Sequence, residues 1–271
     1  MSKNDSTAYA EFLKNLSIAE LNPMQKEVIE KANSILHLKL LAPTGSGKTV
    51  AFLIPLLSRL QLDVKNVQAL IVAPSRELAL QIEQVFRSMK TSYKVSCCYG
   101  GHSVRTEQNS LSEAPAVMIG TPGRLADHIE RKSFDPKTIK IIVLDEFDKS
   151  LQMGFDQEMN AILKSLSGKQ RSILTSATQL TELPDFLAST NFETINHLKH
   201  EAESRLSLKL LRTTSLEKID SLMSLVASFN QEACLVFCNH REAVERISAL
   251  FKKKNRSEER RVGKECLRLC R

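Results

Sequence analysis

One short stretch narrows the possible folds more than any other. The apolar run Leu38–Ala42 leads into Pro43-Thr44-Gly45-Ser46-Gly47-Lys48-Thr49, and a helical pattern begins near Val50. Strand, glycine-containing loop, Lys-Thr and helix, in that order, make a phosphate-binding P-loop. The residue types suit the task. Gly45 and Gly47 reach backbone angles that aim successive N–H groups at phosphate oxygens. The following helix adds the positive end of its dipole. Lys48 reaches outer phosphates, and the Thr49 hydroxyl is placed to ligate magnesium. The general pattern carries glycine where this chain has Ala42, so the match is to a variant.

A P-loop sits in a fold of alternating strands and helices, and the rest of the chain supplies one. Strand candidates are Leu38–Ala42, Ala69–Ala73, Lys94–Cys98, Ala116–Gly120, Ile141–Leu144 and Ser172–Ser176. Most are continuous runs rich in Val, Ile and Leu, as strands buried on both faces require. Helical stretches at Met24–Ser34, Thr49–Gln61, Arg76–Met89 and Phe155–Leu166 separate most of them. This alternation predicts an α/β fold with a mostly parallel sheet flanked by helices.

The strand Ile141–Leu144 ends in Asp145-Glu146-Phe147-Asp148. Four apolar residues followed by carboxylates is the form of a Walker B strand, whose first carboxylate holds the magnesium hydration shell. Glu146 is then placed to orient or deprotonate an attacking water. Acidic strand ends are common as solvated turns, and the P-loop upstream is what argues for chemistry here.

Composition sets wider bounds. The chain has 271 residues with 42% hydrophobic content, enough for a full core. No apolar run approaches a membrane span, and Met1–Ala10 lacks the apolar stretch of a signal peptide, so a cytoplasmic location is the default. The net charge of +7 suits a polyanion such as nucleic acid, though ordinary solubility charge accounts for it equally well. The six cysteines form no CxxC pair, and reduced structural thiols fit them best.

Near His200 the pattern changes. Glu201, Glu203 and Arg205 read as a linker. A second α/β unit then starts: strand-like Leu206–Arg212, helix-like Leu216–Ser228, strand Ala233–Phe237 and helix Arg241–Lys253. Two strands cannot bury a domain-sized core, so this unit reads as incomplete. The string from Arg256 to Cys266 resembles one-frame translation of a sequencing adapter. Residues 256–271 are therefore read as a non-native tail; the rival reading is a genuine basic tail that touches RNA. The organisation predicted is 1–200, 201–255 and 256–271.

The two phosphate motifs have company. Asn22-Pro23-Met24-Gln25 lies upstream. Pro74-Ser75-Arg76-Glu77-Leu78-Ala79, Gly100-Gly101, Thr121-Pro122-Gly123-Arg124 and Ser176-Ala177-Thr178 follow successive strands. In order and spacing, Phe12 to His200 resembles the first RecA-like domain of DEAD-box RNA helicases, with the start of a second, incomplete RecA-like domain behind it. The resemblance implies ATP and Mg2+ as ligands and RNA as partner, held mainly by its sugar-phosphate backbone. It implies that Gln25 reads the adenine edge and that Ala42, Thr44, Gly45, Ser46, Gly47, Lys48 and Thr49 form the ATP phosphate site. Lys48, Asp145 and Glu146 would be catalytic, with Thr49 and Asp145 toward the metal. Pro74, Arg76, Glu77, Gly100, Gly101, Thr121, Pro122, Gly123 and Arg124 would contact RNA. Ser176 and Thr178 would couple ATP state to strand separation through Asp148, and Val236-Phe237 resembles the first motif of the second domain.

Four departures stand out. Phe147 replaces the usual Ala of the signature, which predicts altered packing with the three carboxylates retained. Ser75 replaces the usual Thr. The segment before Gln25 is short, and Phe12 is either the aromatic that stacks on adenine or a core residue. No His-Arg-x-Gly-Arg-x-x-Arg segment follows Phe237. Its arginines stabilise transition-state charge in related systems, so this stretch alone is expected to turn over weakly. Two other readings stay open: a binding module without turnover, and an ATPase acting on DNA.

Overall fold

Seven strands line up in one sheet: β1 (His37–Leu41), β2 (Ala69–Val72), β3 (Val95–Cys98), β4 (Val117–Gly120), β5 (Ile141–Leu144), β6 (Arg171–Ser176) and β7 (Glu193–Asn196). Their order across the sheet is β3-β4-β2-β5-β6-β1-β7, and every pairing is parallel. The computed structural model describes residues 3–101, 113–180, 182–198, 207, 209–213, 218–229, 234–253, 259–260 and 266–269. The sheet lies in the first of two compact units, Met1–Glu203 and Ser204–Arg271.

Helices of the first unit are α1 (Lys3–Asn15), α2 (Pro23–Lys31), α3 (Lys48–Leu57), α4 (Arg76–Ser88), α5 (Pro122–Glu130), α6 (Phe147–Gln152), α7 (Asp156–Ser165) and α8 (Asp185–Ala188). Alternate strand residues point to opposite faces, and each face has its own core. Ala69, Ile71, Val117, Ile119, Ile141 and Val143 pack with Val28, Phe52 and Phe86 from α2, α3 and α4. Leu70, Val72, Met118, Ile142 and Leu144 pack with Leu125, Phe147 and Ile162 from α5, α6 and α7. Cys98 lies in this second core, while its neighbour Cys97 packs against the first. Burial on both sides explains the unbroken apolar runs, each buried Val, Leu or Ile contributing about 1.5–3 kcal/mol.

The six strands predicted from sequence are present with ends shifted by at most one residue. The edge strand β7 escaped the reading because only Ile195 of its four residues is buried. Helix α3 stops at Leu57 rather than Gln61, with Ser58 as its cap. Among the described residues no helix is long and apolar enough to cross a membrane.

The second unit contains α9 (Lys218–Ser228), β8 (Cys234–Phe237), α10 (Arg241–Lys253), β9 (Glu259–Arg260) and β10 (Cys266–Leu269). Val226, Val244, Ile247 and Phe251 form a small core. The strand expected at Leu206–Arg212 is not found: residues 207 and 209–212 carry no strand, and Leu206 and Leu208 lie outside the described residues. Leu210 and Leu211 are exposed, and no described residue pairs with the stretch, so its backbone gains nothing from extending. The linker residues Glu201, Glu203 and Arg205 also lie outside the described residues. β10 runs antiparallel to β8. Main-chain pairing at an open strand edge asks little of side chains, so this pairing is independent of the origin of residues 256–271.

Candidate functional site

All seven strands of the large sheet point one way, so every loop that follows a strand opens on the same edge. β1, β6 and β5 are neighbours, and their loops carry the P-loop, Ser176-Ala177-Thr178 and Asp145–Asp148. β2, β4 and β3 are neighbours on the other side, and theirs carry Pro74–Ala79, Thr121–Arg124 and Gly100-Gly101. Topology alone therefore sorts the motifs into two adjoining groups at the carboxyl edge, where open parallel sheets bind ligands.

In the first group, the loop after β1 turns through Gly45 (φ +80°) and Gly47 (φ +89°), both in the left-handed region. A Cβ on Gly47 would also stand 2.5 Å from Gln25 Nε2. Gly47 is the N-terminal cap of α3, whose first residues are Lys48 and Thr49. Thr44 and Gly45 are exposed, and Ala42 donates its N–H to the Ser176 carbonyl at 3.1 Å, joining the ends of β1 and β6. The Lys48 ammonium donates to the carbonyls of Ala42 at 2.7 Å and Pro43 at 2.8 Å. Burial lowers its pKa, while Asp145, Glu146 and Asp148 oppose that shift.

A brace stands beside the loop. Asn22 and Gln25 form a reciprocal capping box at the start of α2. Asn22 Nδ2 then donates to the Ser46 carbonyl at 2.9 Å, and Gln25 Nε2 to the Gly47 carbonyl at 3.1 Å. Gln25 thus touches the phosphate loop directly. Phe12 is elsewhere. It packs beside Ile54, Pro55 and Leu57 at the far end of α3, roughly 15 Å along the helix from Gly47. Phe12 is packed against the core, as the second of its two readings expects.

The acidic turn is built from β5 and β6 together. Thr175, fully buried, donates its hydroxyl to Asp145 Oδ1 at 2.5 Å and accepts the Glu146 N–H at 3.1 Å. Burial pushes the Asp145 carboxyl up to about 6 from 3.8, with the Thr175 hydrogen bond opposing the shift. Glu146 adopts φ +46°, ψ +51°, a strained angle for a non-glycine residue that costs about 1–3 kcal/mol. Lys149 donates to its carboxylate at 2.6 Å. Phe147 turns inward, fully buried, edge-to-face against Phe186 with centroids 6.4 Å apart. The larger side chain is thus absorbed by the core while its acidic neighbours stay at the sheet edge. Asp148 Oδ2 accepts the Thr178 hydroxyl at 2.8 Å, and the Ser176 hydroxyl donates to the Thr178 carbonyl at 2.6 Å.

In the second group, Ser75 caps α4 by accepting the Leu78 N–H at 3.2 Å. Arg76 lies over the Tyr99 ring, 4.6 Å from its centroid, and a Cβ on Gly101 (φ +97°) would stand 3.9 Å from Arg76 Nη1. The ends of β2 and β3 therefore meet in front of β4. Pro122 opens α5, and the cap residue Thr121 makes no side-chain cap bond to its first turn. Pro74 is buried, Glu77, Gly100 and Gly123 are exposed, and Arg124 sits 3.7 Å from Asp127.

Three residues at this edge have roles that the motifs do not announce. Thr175, Lys149 and Tyr99 carried no local signal, because their roles depend on other strands or turns. Buried Ser46 Oγ and Asp148 Oδ1 make no hydrogen bond within the protein. Open helix N–H groups, a buried lysine and clustered carboxylates are a donor set for polyphosphate with a hard divalent cation.

Comparison with known proteins identifies a family. The DEAD/DEAH box helicase family model matches residues 22–186. The "DEAD-box ATP-dependent RNA helicase CshA" of Bacillus subtilis is 30% identical over 251 residues, covering 90% of this chain and 51% of that protein. The "ATP-dependent RNA helicase CshA" of Limosilactobacillus reuteri is 32% identical over 243 residues, covering 87% and 48%. The chain thus spans about half the length of these curated relatives. Among solved structures, a DEAD box protein from Methanococcus jannaschii superposes with TM-score 0.66 at 26% identity, covering 94% of this chain and 69% of that one. The family match takes in more than half of the sequence and every strand of the large sheet except the edge strand β7, and on that ground the chain belongs to the DEAD/DEAH box helicase family.

Proposed function

We propose that the protein to which this chain belongs is an ATP-dependent RNA helicase, and that residues 1–200 form its ATP-binding domain. Residues 201–255 then belong to the second helicase domain, and 256–271 take no part. One observation carries the reading: the ends of β1, β6 and β5 set the P-loop, the acidic turn and the Ser-Ala-Thr turn side by side, with Thr178 bonded to Asp148.

ATP would lie with its phosphates over Ala42–Thr49 and its base toward Gln25. Mg2+ would be held by Thr49 and Asp145 and would neutralise charge on the transferred phosphoryl group. Lys48 would exchange its loop carbonyls for phosphate oxygens. Glu146 would orient the attacking water and take its proton. Asp148, Thr178 and Ser176 would transmit the state of the phosphate site along the edge. RNA would lie along Arg76, the Gly100-Gly101 turn and the α5 N-terminus, with Pro74, Glu77, Thr121, Pro122, Gly123 and Arg124 completing the path. Contacts of these types go to the backbone and read little sequence. The arginine-bearing segment is absent from this chain, so its own turnover would be weak. The relatives' printed names favour RNA over DNA.

Two variants of the full-length protein test this. Lys48→Ala abolishes ATP binding. Glu146→Gln binds ATP normally and loses hydrolysis by about 10²–10⁴-fold, as expected for a positioned base. Normal turnover by Glu146→Gln would reject its role, and unchanged ATP affinity in Lys48→Ala would reject the phosphate site.

A further inference from the structure

The opposite edge of the same sheet has a character of its own. Four loops enter β1, β2, β5 and β6 at their amino ends, and in the sheet these strands are consecutive. Together the loops line an open cleft of about 850 Å³. It presents Arg59, Lys137, Lys140, Lys169 and Arg171, and no acidic residue lines it. Asp63 and Asp135 stand in the same loops outside the cleft, and Asp135 is occupied in accepting the Lys137 N–H at 2.9 Å. None of the five cations forms an ion pair with a described carboxylate.

The two arginines are held in place from behind. Arg59 Nη2 donates to the carbonyls of Ala32 at 3.0 Å and Asn33 at 3.2 Å. Arg171 Nη1 donates to the carbonyls of Ala32 and Ile35. Both close the C-terminal end of α2. Their mutual repulsion is left uncompensated: burial, and after it the Arg171 charge, lowers the Arg59 pKa. In front of them Lys137, Lys140 and Lys169 are exposed.

We propose that this cleft is a second contact surface for nucleic acid, which holds the sugar-phosphate backbone of RNA without reading bases. It rests on the RNA reading above. The cations enter beside three adjacent strands, β2, β5 and β6, which extend about 10 Å across the sheet, a reach that spans two or three consecutive phosphates. Lysines are mobile point charges that suit phosphate, and the arginine forks, already bound to carbonyls, add field without offering a bidentate grip to a carboxylate. An acidic protein partner is disfavoured for a further reason. The cleft has no aromatic side chain to anchor one, and the same absence excludes base stacking. Strands of four to six residues hold this edge roughly 13–20 Å from the motif edge, so the two edges would hold separate stretches of an RNA strand.

The test uses the whole chain and a labelled mixed-sequence RNA, with affinity measured against salt. The triple variant Lys137→Gln/Lys140→Gln/Lys169→Gln is expected to lower the log–log salt slope by about two, at about 0.7 for each phosphate no longer neutralised. Arg76→Ala/Arg124→Ala, at the other edge, lowers the slope independently. An unchanged slope in the lysine variant with a reduced one in the arginine variant overturns the cleft and leaves the RNA reading standing. Unchanged slopes in both overturn both. Displacement of RNA from the arginine variant by polyglutamate at matched charge also overturns the proposal, since the surface would then be one for acidic polypeptides.

Discussion

Asp145→Asn makes the clearest test of the energetics, because the structure sets its site against its own stability. The Asp145 carboxyl is fully buried, and burial raises its pKa from 3.8 to about 6. At 1.36 kcal/mol per unit, that shift is worth about 3 kcal/mol. The sign follows from proton counting. Between about 4 and 6 the folded chain holds a proton that the unfolded chain has released, so stability falls as pH rises through this window. Above about pH 6 the buried charge costs its full amount. Asn has nearly the same shape and no charge, and its side-chain oxygen still accepts from Thr175. The variant should match the parent near pH 4 and gain stability steadily to a plateau above pH 6. The ceiling is about 3 kcal/mol, less whatever the new amide N–H groups leave unsatisfied. In a unit of this size each kcal/mol moves the midpoint by about 2–4 °C, so the plateau corresponds to at most roughly 6–12 °C. Thermal unfolding from pH 4 to 8, without nucleotide or divalent cation, measures it. Parallel stability curves for the two proteins, or an Asn variant less stable at pH 8, would refute the account of Asp145 as a strained buried charge. Added Mg·ATP should then reverse the ranking, by stabilising only the parent.

Other perturbations probe neighbouring parts of the site. Gly47→Ala combines a positive φ with a Cβ 2.5 Å from Gln25 Nε2, so it should weaken ATP binding by more than tenfold; calorimetric affinity equal to the parent's would contradict the close packing of brace and loop. Thr175→Val keeps shape but removes the donor to Asp145 and the acceptor of the Glu146 N–H, and should destabilise the chain by about 1–3 kcal/mol in urea unfolding. Its Mg2+ dependence of nucleotide binding should also shift, which a purely structural role would not produce. Phe147→Ala empties a fully buried site against Phe186 and should cost about 3–5 kcal/mol; a loss below 1 kcal/mol would mean that the turn tolerates the smaller residue without a cavity.

Much of the chemistry was legible in the chain itself. A P-loop works through neighbouring residues, so Pro43–Thr49 announces it in sequence, as Ile141–Asp148 announces the acidic strand end. The strands were equally visible, because burial on both faces demands unbroken apolar runs. Tertiary structure decided what those runs could not encode. Their order, β3-β4-β2-β5-β6-β1-β7, determines which motifs adjoin. It brings Thr175 to Asp145 and Thr178 to Asp148 across 30 residues of chain. It also packs Phe12 against the core beside the far end of α3, and gathers five cations from the entries to three strands at the opposite edge. The physical reason is one of range. Backbone preference and periodicity act over a few residues, whereas the partner of a buried strand is chosen by how both faces of the whole sheet are covered.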